Sequence, residues 1–108
     1  MSALVEFEKS SIVAIIRTKT SAEGRSAAYA LQSAGITSFE FTTTTPDVFD
    51  LIEEFSAISG LTVGVGTAMS PAHVVSAKKA GASFVFSPHT EPAVIKKTLD
   101  LNLLSVPG

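Results

Sequence analysis

Four groups of residues with chemical capacity recur along the chain: Arg17, Glu40 with Thr42 to Thr45, Gly66-Thr67, and Ser87-Pro88-His89. Each follows a short run rich in branched and aromatic residues, so each stands where a strand ends and a loop begins. Polar groups gathered at strand carboxyl ends are the layout of sites built on parallel α/β sheets and barrels. Glu40 carries the sharpest signal. It lies between Phe39 and Phe41, and a carboxylate buried there without a partner costs several kcal/mol. At the mouth of an apolar pocket such a carboxyl titrates toward neutrality, the condition for a group that both gives and takes protons. The competing reading of Glu40 is an ion pair with Arg17 or an edge position facing water.

Arg17 offers a planar guanidinium that suits a carboxylate or phosphate. Gly64-Val65-Gly66-Thr67 permits close approach of the backbone to a neighbour. The third glycine of a dinucleotide fingerprint would fall at Met69, so close helix packing is the favoured use of these glycines. Thr42, Thr43 and Thr44 supply hydroxyls as candidate ligand contacts, while Thr45 is assigned to a helix cap. His73 and His89 have no carboxylates at matching spacing; they read as solvated side chains, with no metal expected. Lys78-Lys79 and Lys96-Lys97 fall on helices as wet faces, which leaves Lys19 as the lysine on the presumed active face.

The elements that must position these residues are strand-like runs at Ile12 to Ile16, Phe39 to Phe41, Leu61 to Val65, Phe84 to Phe86 and Leu103 to Val106. Helical segments separate them. Thr20 with Glu23 forms a capping box ahead of a helix closing at Gly35. Thr45-Pro46 and Ser70-Pro71 open the next two helices, which close near Gly60 and at Gly81, and Thr90 with Pro92 opens a fourth that ends near Asn102. Ala3 to Lys9 suggests a short helix across the bottom of a barrel. Alternating strand and helix without hairpin signals predicts a parallel sheet with right-handed crossovers. Both an open doubly wound sheet and part of a (βα)₈ barrel share that signature, and periodicity does not choose between them.

With 108 residues and 45% apolar content, the chain fits one domain with a modest core. Eight basic against ten acidic residues produce no field that draws in nucleic acid or an anionic membrane. The absence of cysteine rules out disulfides, thiolate zinc sites and thiol nucleophiles, and suits a reducing, cytoplasmic setting. Met1 to Ser10 carries Glu6 and Glu8 and lacks an apolar stretch of signal-peptide length, so a soluble, unprocessed protein is expected.

Five stretches in order, Ile12-Val-Ala-Ile-Ile-Arg17, Phe39-Glu-Phe-Thr42 with Thr45-Pro46-Asp47, Gly64-Val-Gly-Thr67, Phe86-Ser-Pro-His89 and Val106-Pro-Gly108, resemble successive strand ends of the 2-keto-3-deoxy-6-phosphogluconate / 4-hydroxy-2-oxoglutarate (KDPG/KHG) aldolase family. The resemblance covers roughly Ser10 to Gly108. It implies an α/β (βα)₈ TIM barrel, represented by a half-barrel of about five parallel strands and four helices, a single partial domain over residues 1–108 ending after the fifth strand. It also implies a class I aldolase, a lyase usually trimeric, that cleaves a 2-keto acid into pyruvate and an aldehyde without a cofactor. A lysine forms the Schiff base in such enzymes and a glutamate moves the protons. On the matching motifs, Glu40 falls at that glutamate, Thr67 at the threonine contacting the pyruvyl part, Pro88 at the proline lining the pocket and Arg17 at the strand 1 arginine. Thr44 occupies a position where many members carry an arginine and others a threonine. The family's lysine lies on a sixth strand, so the resemblance implies that residues 1–108 alone are inactive. The alternative is a non-catalytic open α/β domain that binds a small anion at its strand ends and helix N-termini.

Overall fold

Residues 3–108 are described by a computed structural model in which each strand-like run pairs with the next one in the chain. The elements are α1 (Ala3–Lys9), β1 (Ala14–Ile16), α2 (Ser21–Ser33), β2 (Ser38–Thr42), α3 (Val48–Ser56), β3 (Thr62–Gly66), α4 (Pro71–Ala80), β4 (Phe84–Phe86), α5 (Pro92–Asp100) and β5 (Leu104–Val106).

Local chemistry sets most of these boundaries. Thr20 caps α2 by accepting the Glu23 N–H at 3.1 Å, and Ser70 caps α4 by accepting the His73 N–H at 3.3 Å. Pro71 opens α4, and Gly81, in the left-handed region at φ 99°, closes it.

Two caps differ from the sequence expectation. Thr45 does not cap α3, because the Thr45 N–H bonds back to the Thr42 carbonyl and turns the chain first. The helix starts two residues beyond Pro46, after a left-handed Asp47 with φ 57°. The Thr45 hydroxyl is buried instead, where it accepts the Thr18 N–H and donates to the Ile16 carbonyl, each at 3.4 Å, tying the end of β1 to that of β2. At α5 the cap is Glu91, whose carboxylate accepts the Ala93 N–H at 3.3 Å, while Thr90 donates to the Gly108 carbonyl at 2.8 Å.

The sheet is parallel throughout, in the order β1-β2-β3-β4-β5. A doubly wound sheet reverses its strand order at a switch point and covers both faces with helices. Here every crossover steps the same way, and right-handed crossovers then place α2 to α5 on one face. That is the architecture of a sector of a TIM barrel.

Side chains alternate along each strand, so the two faces carry different chemistry. Toward the helices, Phe39, Phe41, Val63 and Val65 pack with Leu51, Ile52, Phe55 and Val74, all buried. The inner face carries the registered row Ile15, Glu40, Gly64, Phe84 and Leu104. Helix α1 lies against this face, with the Phe7 ring 5.1 Å from Phe84 and 6.2 Å from Phe86. Among the described residues no helix is long and apolar enough to cross a membrane.

Candidate active site

A cleft of about 260 Å³ opens on the inner face at the carboxyl ends of the strands, lined by Val13, Ile15, Arg17, Glu40, Thr67, Phe86, Ser87 and Pro88. The fold thus brings together Arg17, Glu40, Thr67 and Pro88. Thr44 stands apart from this cleft. It lies on the β2–α3 loop, exposed, with its hydroxyl 3.0 Å from that of Thr42, beside a separate depression over the start of α3.

Glu40 sits in mid-strand on β2 and is only 3% exposed. Its carboxyl lies over Gly66, where a Cβ would run into it. Gly64 serves the neighbouring position in the same way, because a Cβ there would collide with the Phe84 ring. These glycines therefore make room on the cleft face for a carboxyl and an aromatic ring, which corrects the expectation that they serve helix packing.

Buried in this way, the Glu40 carboxyl has one oxygen, Oε2, without a hydrogen-bond partner. Burial raises its pKa from 4.5 to about 7, against the opposing pull of the Arg17 charge. Arg17 forms no ion pair with Glu40 among the described residues. Its Nη2 instead donates to Thr67 Oγ1 at 2.9 Å, so the competing reading of an Arg17–Glu40 pair does not hold. Thr67 has φ 55°, a left-handed conformation that a β-branched residue adopts only when its surroundings enforce it. Thr43 enforces it, with its hydroxyl donating to the Thr67 carbonyl at 2.7 Å and its N–H to the Gly66 carbonyl at 2.9 Å.

The arrangement sets a carboxyl poised near neutral pH beside a guanidinium and a hydroxyl, in a pocket otherwise walled by Val13, Ile15, Phe86, Ser87 and Pro88. That set suits a small anionic carbonyl compound: Arg17 and Thr67 provide donors for its oxygens, and Glu40 a proton carrier at its carbon. None of Lys9, Lys19, Lys78, Lys79, Lys96 and Lys97 lines the cleft, and Lys19 is exposed beyond its rim. Among the described residues no group of three His, Cys, Asp or Glu side chains could hold a metal ion. His73 is half-buried, with Nδ1 accepting the Met69 N–H at 3.2 Å, and His89 is exposed.

Sequence reasoning named Ser87 among the strand-end groups but did not single out Val13, Ile15 or Phe86 as part of the site. The signal was present: Val13 and Ile15 share strand parity with Arg17, and Phe86-Ser87 lead directly into Pro88. Ser87 is buried, and its hydroxyl donates to the His89 carbonyl at 3.0 Å, closing the loop that carries Pro88.

The family model for KDPG and KHG aldolases matches residues 5–108. A probable 2-dehydro-3-deoxy-6-phosphogalactonate aldolase of Rhizobium meliloti (strain 1021) is 31% identical over 99 residues, which are 90% of this chain and 47% of that protein. Among solved structures, the 2-keto-3-deoxy-6-phosphogluconate aldolase of Zymomonas mobilis ZM4 with 3-phosphoglycerate superposes with a TM-score of 0.86. The two are 23% identical, over 98% of this chain and 51% of that one. A KDPG aldolase from Legionella pneumophila, with pyruvate captured at low pH as a covalent carbinolamine intermediate, superposes with a TM-score of 0.85. It is 24% identical, over 100% of this chain and 53% of that one. The chain spans about half the length of each of these relatives.

Proposed function

The chain belongs to the KDPG and KHG aldolase family, and from that premise we propose that it forms the proton-transfer part of a class I aldolase site. The reaction is cleavage of a 2-keto-3-deoxy sugar acid, phosphorylated or not, or of 4-hydroxy-2-oxoglutarate, to pyruvate and an aldehyde. The observation that carries this reading is the buried Glu40 carboxyl, with one oxygen unpartnered, in the same cleft as Arg17 and Thr67.

In the proposed mechanism a lysine from a strand beyond residue 108 condenses with the substrate keto group, releasing water and leaving an iminium. Glu40, as carboxylate, takes the proton of the hydroxyl on the carbon to be released. The carbon–carbon bond breaks, its electron pair passes to the iminium to give an enamine, and the aldehyde departs. Glu40, now neutral, returns the proton to the enamine carbon and so forms the methyl group, after which water frees pyruvate and the lysine. A group with a pKa of about 7 performs both transfers at neutral pH.

Arg17 and Thr67 hold the pyruvyl oxygens, Pro88 walls the pocket, and Thr44 on its exposed loop serves the far end of the substrate. The working protein is a cytoplasmic homo-oligomer, a trimer by family analogy, in which residues 1–108 form one partial barrel domain.

The test is a chimera joining residues 1–108 to the C-terminal half of the Rhizobium relative, assayed for pyruvate release from the three candidate substrates. Activity is expected. Glu40→Gln in the chimera should lower turnover by roughly 10²- to 10⁴-fold, the usual worth of a general acid–base group. Borohydride trapping of pyruvate should suffer less than proton exchange at its methyl group. A folded chimera that releases no pyruvate, or a Glu40→Gln variant that loses trapping and exchange equally, would overturn the assignment.

A further inference from the structure

We propose that Phe7 of α1 is a positioning residue for Glu40: through Phe84 and Phe86 it seals the inner face beneath the carboxyl and keeps water away from it. Glu40, Gly64 and Phe84 lie in one row across β2, β3 and β4. Gly64 has no side chain, and the Phe84 ring occupies the place its Cβ would take. The ring therefore stands one strand spacing, about 4.8 Å, from the Glu40 strand. Phe84 is fully buried, and the ring packed edge-on against it at 5.1 Å is Phe7. The same Phe7 ring lies 6.2 Å from Phe86, which lines the cleft that holds Glu40. Phe84 and Phe86 also pack on each other at 5.4 Å. Three phenylalanines thus form one wedge, with its outer member carried by a helix that the rest of the site does not use.

The wedge accounts for the isolation of Glu40. Among the described residues the charged group that acts on this carboxyl is Arg17, from the end of β1. Strands β3 and β4 carry no titratable residue, Lys19 and His89 on the adjoining loops are exposed, and on α1 so are Glu8 and Lys9. Burial is the dominant influence on Glu40, and it opposes the pull of Arg17. Opening the floor under Phe84 admits water and weakens that influence.

The inference rests on reading Glu40 as the proton carrier, but its test needs no turnover. The Glu40 side-chain carboxyl is followed by carbon-detected NMR across pH 4 to 9 in the 108-residue chain and in its Phe7→Ala and Phe7→Leu variants. Phe7→Ala is expected to lower the Glu40 midpoint by about one pH unit, Phe7→Leu to restore most of it, and Leu4→Ala, at a half-exposed position of the same helix, to leave it in place. An unchanged midpoint in a folded Phe7→Ala chain overturns the sealing role and leaves the aldolase reading intact. A midpoint in the ordinary carboxylate range in the parent chain overturns both. Should Phe7→Ala fail to fold, Phe7→Leu and Phe7→Val decide by the same measure, because a seal made by apolar bulk predicts a fall that grows as the side chain shrinks from Leu to Val, and an unchanged midpoint in both overturns it.

Discussion

Replacing Glu40 by glutamine should make the chain more stable at alkaline pH and leave it nearly unchanged in acid. Glutamine keeps the size of the protonated side chain but cannot ionise. Below pH 4.5 the parent carboxyl is neutral in both folded and unfolded chains, so burying it carries no charge penalty. Between 4.5 and about 7 the unfolded chain releases the proton while the folded chain retains it, and stability falls as pH rises. Above about 7 both are ionised and the loss is complete. Each pH unit between folded and unfolded midpoints is worth about 1.4 kcal/mol, so a midpoint moved from 4.5 to about 7 makes the folded chain less stable by about 3 kcal/mol. That is a large share of the roughly 5 to 15 kcal/mol that holds a domain together. The assay is urea unfolding of the parent and Glu40→Gln chains from pH 4 to 8.5, with the difference between their stabilities plotted against pH. Groups common to both chains, including the Glu54 carboxyl held low by Arg25, cancel in that difference. The glutamine chain should gain about 3 kcal/mol relative to the parent across the window. A flat difference, or one that favours the parent as pH rises, would refute the argument and mean that the carboxyl is stabilised as an anion.

Two further substitutions probe the same cleft. Gly66→Ala places a methyl group in the space of the Glu40 carboxyl; the chain should lose about 1 to 3 kcal/mol by denaturant unfolding, and adding Glu40→Ala should recover most of the loss. Thr67→Val removes the acceptor that holds the Arg17 guanidinium at 2.9 Å. In the chimera it should raise the pyruvate KM about fivefold, the worth of one hydrogen bond of about 1 kcal/mol, and by freeing Arg17 to turn toward Glu40 it should lower the Glu40 midpoint in an NMR titration.

The strand ends were legible because each is marked locally. Glu40 between two phenylalanines, the Ser70-Pro71 cap and Gly81 are properties of neighbouring residues, and the structure places them as the sequence indicates. Strand order is not such a property, which is why periodicity left an open sheet and a barrel sector equal, the motif resemblance alone pointed to the barrel, and the pairing of β1 with β2 and onward shows the order directly. Thr45 and Thr90 show the limit of cap signals: both are good capping residues, but each found a partner distant in sequence, Thr45 in β1 and Thr90 in Gly108. The role of Gly66 depends on what stands across the sheet, and the bond from Arg17 to Thr67 spans 50 residues. Thr44, named for its hydroxyl and its motif position, lies on a loop outside the cleft.

The consecutive strand order also bears on how the chain reaches this structure. Ala14 pairs with Phe39, Phe39 with Val63, Gly64 with Phe84 and Phe84 with Leu104, so each ladder joins residues only 20 to 25 positions apart. Closing such short segments costs little chain entropy, and none of these pairings has to wait for a distant part of the polypeptide. During synthesis β1 and β2 can zip as soon as β2 emerges, and each new strand then adds to an existing template. Folding can therefore proceed by accretion, in the order in which the ribosome delivers the strands.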